Sequence, residues 1–384
     1  MLKAKFVQAW MKLQNVVLCC LKWLVYTSKP KDFQPKHICV YRIGNIGDLL
    51  CTIPALWQIR RHYPQAKITL LSSPGKRGAV SAGHVLQGIA CLDDIQLYYN
   101  DDVHEWKKFK AFRKRLQAMD FDYFLQIPVL GASFSSQVRN MFFFRFVGFS
   151  YADSFYVSGS ALFSKAQMDY LERPKEVERC LRQLPFPHDD TVDFSFAVCE
   201  EDQTVIRTVM QEKLQEDMQR PLMAISFSGK RRVQRWPLAN FSEIAERWIR
   251  EKDGCVVVIG GKGEQAEAEV ILQGLTEAAQ KHAFNFCGVY SITQSMGFLQ
   301  QCRLLVTIDT GTAHMAPVTG VPCIDLCSAY NLPNQWYAYG EQVRILRKDQ
   351  PCSPCGAMTC PYGQDARCMR AIEPDDVWQQ IMEL

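Results

Sequence analysis

The chain has 384 residues, 48 % hydrophobic and 22 % charged, which excludes a disordered polymer and exceeds one ordinary compact core, so two domains are expected. Its 44 basic and 40 acidic residues leave a net charge of only +4, too small an excess for an extended nucleic-acid footprint, and no nucleic-acid partner is expected. The 16 cysteines are scattered through apolar runs, where Cys39, Cys51, Cys255, Cys302, Cys323 and Cys327 read as small core residues. That usage points to a reducing cytoplasm rather than to a disulfide scaffold.

Residues 1–34 form the first segment. The first 31 residues hold Lys3, Lys5, Lys12, Lys22, Lys29 and Lys31 and no acid, a local +6 that leaves the remainder near −2. The longest unbroken apolar run, 16–21, is far shorter than the ~20 residues a spanning helix needs, and no small-residue cleavage site follows it. Two readings of this basic helix, which carries Trp10 and Trp23 and ends by Pro30, stand side by side. It is an interfacial anchor on an anionic membrane surface, or it packs on its own protein or on a second subunit.

From residue 35 the pattern alternates. His-Ile-Cys-Val-Tyr-Arg-Ile (37–43) reads as a buried strand, 44–48 as a glycine turn, 49–62 as a helix and 68–71 as a return strand, together one βαβ unit. Strands are expected at 95–98 and 123–127, and a basic aromatic segment runs from 137 to 147. The alternation restarts near 200: helix 200–219, strand 222–227, basic loop 228–235, helix 241–252, then strands at 255–259, 304–308 and 323–326. Two such blocks imply an α/β chain of two Rossmann-like domains, 35–199 and 200–384.

Three constellations carry chemistry. Gly44-Asn45-Ile46-Gly47-Asp48 lies between strand and helix, where open α/β sheets bind ligands. Asp48 there is either a general base for an acceptor hydroxyl or a helix cap, with Gly44, Asn45 and Gly47 on the same side. No Gly-x-Gly-x-x-Gly is present, so a nicotinamide-dependent oxidoreductase is not supported. Asp309-Thr310-Gly311-Thr312-Ala313-His314 leaves a second apolar strand and enters a helix, an arrangement suited to a diphosphate through backbone N–H groups and His314, or simply a capped helix with a core histidine. Lys230, Arg231, Arg232 and Arg235 crowd the loop before Trp236-Pro237, either neutralising a nucleotide diphosphate or forming a solvated charged loop.

Taken in order, Ile43 to Leu56 with its Gly47-Asp48 and Pro54-Ala55-Leu56, Tyr63-Pro64-Gln65-Ala66-Lys67-Ile68-Thr69, Arg235-Trp236-Pro237, Asp309-Thr310-Gly311 with His314, and Gly320-Val321-Pro322 resemble the ADP-heptose:lipopolysaccharide heptosyltransferases, glycosyltransferase family 9. The resemblance runs from about 37 to 375. It implies the GT-B architecture, with acceptor bound by the first domain and nucleotide-sugar by the second, and an inverting displacement needing no catalytic metal or other cofactor. It makes Asp48 the base, assigns Asp309, Thr310, Gly311, Thr312 and His314 to the donor, and places Glu264, after Gly260-Gly261, near the ribose. Lys230, Arg232 and Arg235 complete the expected donor set. One departure stands out: Gln234 occupies the position, two before the tryptophan, where the family usually carries lysine.

The tail motif Cys352-x2-Cys355-x4-Cys360-x7-Cys368 has the density of a thiolate knuckle for structural zinc or iron, the alternative being free thiols or two local disulfides. The expected activity is therefore transfer of a heptose or related sugar from an ADP-heptose-like donor to a lipid-linked glycan in lipopolysaccharide-type biosynthesis, in the cytoplasm and peripheral on the inner membrane face. A protein acceptor, or a non-enzymatic sugar-nucleotide-binding module, is the alternative.

Overall fold

The computed structural model of the chain describes the backbone of residues 2–5 and, in full, residues 6–158, 174–363 and 366–384. It separates into two compact units, Met1–Ser195 and Phe196–Leu384.

In the first unit α1 (Leu2–Val25) precedes β1 (His37–Tyr41), α2 (Ile46–Leu50), α3 (Ile53–His62), β2 (Lys67–Gly75), α4 (Ala82–Val85) and β3 (Asp94–Tyr99). Then follow α5 (Asn100–His104), α6 (Trp106–Gln117), β4 (Tyr123–Gln126), α7 (Phe134–Val147), β5 (Tyr151–Asp153) and α8 (Glu176–Leu181). The expected helix over 49–62 is two helices. Pro54 inside a continuous helix would lose a bond and strike the carbonyl four residues back; instead Thr52 caps α3 with Pro54 in its first turn.

The strands are parallel in the order β3-β2-β1-β4-β5, with Ile38 in register with Ile68 on one side and Tyr123 on the other. The order reverses between β1 and β4. Right-handed crossovers therefore put α3 and α4 on one face of the sheet and α6 and α7 on the other. Helix α1 joins the second group: Leu18 shares one apolar core with Phe112, Phe144, Tyr41 and Phe124. Tyr26 donates to the Met141 carbonyl at 2.7 Å, and Lys22 and Lys29 meet Asp153 at 2.7 and 2.6 Å. The N-terminal helix thus packs on its own unit, as one of its two expected readings required, while its outer face stays exposed.

The second unit runs α9 (Glu200–Leu214), β6 (Leu222–Ser226), α10 (Leu238–Lys252), β7 (Cys255–Val258), α11 (Gln265–Gln273), α12 (Glu277–Gln280), β8 (Ala283–Asn285) and α13 (Ile292–Leu299). It continues with β9 (Leu304–Ile308), α14 (Ala316–Thr319), β10 (Cys323–Leu326), β11 (Val343–Leu346), α15 (Arg367–Arg370) and α16 (Pro374–Met382). Helix α9 is shorter than expected because Gln215 adopts a left-handed φ of 49°, after which the chain tightens into a 3-10 turn. The sheet, again parallel, has the order β11-β10-β9-β6-β7-β8, reversing between β9 and β6.

Trp236 anchors this unit's core. It is fully buried, donates Nε1–H to the Ile372 carbonyl at 2.8 Å and meets Phe241 edge-on. Trp236→Ala should lower the unfolding free energy of this unit by about 3–5 kcal/mol in urea denaturation; a loss below about 1 kcal/mol would show that the anchor is dispensable.

Candidate active site

Both constellations lie where the sheet order reverses, outside the carboxyl ends of central strands, which is where doubly wound sheets leave a crevice. In the first unit β1 runs out into Arg42, Ile43 and Gly44, and Asn45 caps α2. Asp48 is the third residue of that helix, and its Oδ2 accepts the Asn45 backbone N–H at 2.9 Å. The cap expected as the bland alternative is therefore present, yet it occupies one oxygen only. A side chain at Gly44 would place Cβ 2.2 Å from the Asp48 Cβ, so glycine is needed for the carboxylate to fold back over the strand end.

The other oxygen faces a buried cation. Arg42, wholly excluded from solvent, brings Nη2 to 3.5 Å from Asp48 Oδ1 and to 2.8 Å from Glu176 Oε1. Its Nη1 donates to the Pro128 carbonyl at 2.9 Å, so one guanidinium ties together the loops that follow β1 and β4. Glu176 is bound in turn by Arg179 Nε at 2.6 Å. Burial alone would push the Glu176 carboxyl up, but its bonds to Arg179 and Arg42 outweigh that and hold it below the usual range. The Asp48 side chain keeps 14 % of its surface exposed, against 1 % for Glu176. Of the two carboxylates on Arg42, Asp48 is the one a solute can reach.

In the second unit β6 ends at Ser226, whose Oγ donates to Thr312 Oγ1 at 3.1 Å across the reversal point. Gln234 is buried and donates to the Asp309 carbonyl at 2.5 Å, pinning the basic loop to the end of β9. Asn331 Nδ2 reaches Asp309 Oδ2 at 3.4 Å, and Arg231 bonds the Tyr330 hydroxyl. The Thr310 hydroxyl is shielded from solvent without a hydrogen-bond partner in the described structure. A side chain at Gly229 would press on Thr310 and Ile308 at 3.0 and 3.3 Å, so the loop lies flat against this turn.

Several expected roles take a different form. The helix after Asp309-Thr310-Gly311-Thr312 is only a 3-10 turn, Ala313–Met315, followed by the single-turn α14, so little helix dipole collects there and any anion must be met by turn N–H groups and side chains. His314 is buried with its ring edge-on to Trp336. Lys230 and Arg232 are exposed on the loop, whereas Arg235 points to α11 and pairs with Glu267 at 2.8 Å. Glu264 caps Gly261 N–H at 2.6 Å. The four tail cysteines do not gather: Cys352 and Cys355 are exposed, Cys360 is half-buried and Cys368 is buried. Cys368 is drawn into the apolar core beside Met369 and Ile372, with Sγ 3.4 Å from Ser328 Oγ. Among the described residues no three His, Cys, Asp or Glu side chains are placed to hold a metal ion, so this arrangement does not fit the expected zinc or iron.

Arg42, Glu176, Ser226, Tyr330 and Asn331 were not foreseen. A lone arginine closing the apolar run 37–43 was the one available signal; Glu176, 134 positions away, offered none.

Two pH effects follow. Burial pushes the Asp309 carboxyl from 3.8 up to about 6, against the opposing influence of Asn331, Gln234, Arg231 and Arg347. A raised carboxyl favours the fold below its unfolded pKa, and this contribution is lost as pH rises through the folded one. Asp309→Asn should therefore stabilise the chain by about 1–3 kcal/mol at pH 8 and by nothing measurable below about pH 4; a gain that persists in acid would refute this origin. Glu176 behaves oppositely, because its lowered pKa stabilises above the ordinary glutamate range and that stability is lost in acid. Glu176→Gln should cost about 3–5 kcal/mol at pH 7, the deficit closing as pH falls through the folded-state pKa. A pH-independent deficit in thermal melts would count against the ion network as its cause.

Comparison with known proteins places the chain in a family. The model of glycosyltransferase family 9 (heptosyltransferase) matches residues 109–365. Lipooligosaccharide heptosyltransferase 2 of Haemophilus ducreyi is 28 % identical over 142 residues, 36 % of this chain and 40 % of that protein. Lipopolysaccharide heptosyltransferase 1 of Pseudomonas aeruginosa is 31 % identical over 130 residues, 34 % of this chain and 35 % of that one. The chain thus matches well under half the length of these two curated relatives. In three dimensions the Escherichia coli ADP-heptose lipopolysaccharide heptosyltransferase II aligns over 90 % of this chain and 98 % of its own, with a TM-score of 0.64 at 18 % identity, a likeness of fold. With the family model spanning about two thirds of the sequence, the chain belongs to glycosyltransferase family 9, the heptosyltransferase family.

Proposed function

We propose that the chain is an inverting glycosyltransferase that moves a heptose from an ADP-heptose-like donor to a hydroxyl of a lipid-linked glycan in lipopolysaccharide-type biosynthesis. The first unit binds the acceptor and the second the donor. The observation that carries the reading is the placement of Asp48, a partly exposed carboxylate at the reversal point of a parallel sheet, with one oxygen on the Asn45 N–H and the other loosely on Arg42.

In this reading Asp48 accepts the proton of the acceptor hydroxyl as that oxygen bonds to the anomeric carbon. The bond from that carbon to the donor phosphate breaks, and its electron pair leaves with the diphosphate. Thr310, Gly311, Thr312 and His314 line the turn that receives the diphosphate, with Ser226 bracing Thr312 and Asp309 beneath. Lys230 and Arg232 supply positive charge from the loop, and such fixed charge near a developing anion is commonly the largest contribution to catalysis. Arg235 is assigned a lesser part because Glu267 already neutralises it. Glu264 holds the turn after β7, where the ribose is expected. No step requires a metal.

The acceptor reading places the chain at the cytoplasmic face of a membrane. No helix among the described residues is long and apolar enough to cross one, so attachment in this proposal is peripheral and runs through α1.

Purified chain, ADP-heptose and a lipid-linked glycan acceptor test the proposal together. Asp48→Asn, which keeps the cap, should reduce turnover by about 10²–10⁴-fold while leaving ADP binding intact. Undiminished transfer by the variant would remove Asp48 from the chemistry. A thermal shift with another nucleotide-sugar and none with ADP-heptose would overturn the donor assignment; a true donor at about 100 times its Kd should stabilise by about 2.7 kcal/mol.

A further inference from the structure

The charge of this chain is segregated. Helix α1 holds four lysines, α6 six cations and α7 two arginines, and none of the three holds an acidic residue. Twelve cations in three helices, against a whole-chain charge of +4, leave −8 for everything else. The three helices form one layer on the same face of the first sheet, since Leu18, Phe112 and Phe144 enter one core. Phe109 of α6 stacks on Phe146 of α7.

The outside of that layer is not a normal solvated face. Phe6, Leu13, Val16, Val17, Trp23 and Leu24 of α1 are all exposed, Trp23 at 74 % and Leu24 at 83 %. They fall at one- and two-turn intervals on the side opposite the buried Val7 and Leu18, so α1 presents apolar surface outward at points along a length of ~36 Å. Trp106, Phe142 and Phe146 continue it on α6 and α7, interleaved with exposed Lys110, Lys114 and Arg145. Lys110 and Arg113 lie over the Trp106 and Phe146 rings at 5.1 and 4.3 Å. A monomer in water rarely leaves such a stripe open.

We infer that the α1–α7–α6 layer is a docking surface for an anionic lipid bilayer, α1 lying in the interface with Trp23 and Leu24 inserted and the cations of α6 and α7 on the headgroups. The inference extends the peripheral attachment proposed above from one helix to a three-helix platform, and it does not depend on which sugar is transferred. Charge complementarity selects this occupant. Lys22 and Lys108 are held in ion pairs with Asp153 and with Asp101 and Glu105. A second copy would still bring exposed cations such as Lys110, Lys114 and Arg145 against their like, whereas a surface rich in anionic lipid attracts each cation near it, and aromatic and aliphatic side chains gain by entering the headgroup–acyl boundary.

The full chain should co-sediment with vesicles containing about 30 % phosphatidylglycerol and not with pure phosphatidylcholine. Its tryptophan emission should shift to the blue on binding, and about 0.5 M salt should weaken binding strongly. The exposed double changes Lys110→Glu/Lys114→Glu and Trp23→Ala/Leu24→Ala should each weaken vesicle binding at least about tenfold with unchanged melting temperature. Equal binding to both vesicle types, no binding, or variants that bind as the parent does would overturn the inference. So would self-association abolished by Trp23→Ala/Leu24→Ala without vesicle binding, which would assign the face to a second copy, or tight binding to an acidic polymer alone. Transfer to a water-soluble acceptor is followed in parallel and should be the same in parent and variants. Its absence from the unaltered chain counts against heptosyl transfer and leaves lipid docking standing.

Discussion

Everything at the first reversal point depends on a guanidinium that has no access to water. A buried cation is tolerable only when its charge and its donors are met. Arg42 meets the first with Glu176 and Asp48 and most of the second with the carbonyls of Ile127, Pro128 and Asp48. Arg42 follows β1, and its partners come from the end of β4, from α2 and from α8. The ion group therefore fixes the relative position of four pieces of chain that the sheet alone would leave adjustable. The unequal distances are informative. Glu176 takes the short contact, with Arg179 behind it, while Asp48 sits at the long one. Sharing the cation with a deeper carboxylate keeps Asp48 oriented at the longer distance.

The second unit solves a related problem without a dedicated ion pair. Its reversal point is closed by Ser226 on Thr312, Gln234 on the Asp309 carbonyl and Asn331 on the Asp309 carboxyl, all neutral donors. Arg347 braces the Asn331 carbonyl at 2.9 Å. Among the described residues the donors that meet Asp309 are neutral, so burial dominates and its proton is held to higher pH. The two sites thus share a place in the fold and differ in how charge is managed there.

The central strands and both motif loops were legible in the sequence because most of these strands are short apolar runs, and β1, β6, β7 and β9 are each followed within three residues by a glycine, the simplest pattern a parallel sheet writes. Strands β5, β8 and β11 were not. They are three or four residues long, lie at sheet edges and are partly exposed, so they carry neither a continuous apolar run nor alternation. The same limit hid the supports of the site. Asp48 and Thr310 lie inside motifs, but Glu176 and Asn331 reach the site through tertiary folding, and no local period marks a residue whose partner is far along the chain. The tail shows the converse: four cysteines at knuckle-like spacing are dense in sequence, yet Cys368 follows the apolar residues around it into the core while Cys352 and Cys355 stay on exposed turns.

Gln234 shows how a departure in sequence acquires meaning only in three dimensions. Read along the chain it is a lost positive charge, for which Arg235, Arg232 or Lys230 is the available substitute. In the fold the side chains of Gln234 and Arg235 diverge. Gln234 turns inward to the Asp309 carbonyl, and Arg235 turns outward to Glu267 on α11. A lysine at 234 would have brought a further full charge next to a buried carboxyl and drawn its proton off; glutamine preserves the tie between loop and strand end without adding to the influence of Arg231 and Arg347 on that carboxyl. The positive charge that this loop turns outward is that of its outer part, Lys230 to Arg232. There the side chains are partly or fully exposed, and their attraction for an anion is screened by salt far more than that of a buried lysine.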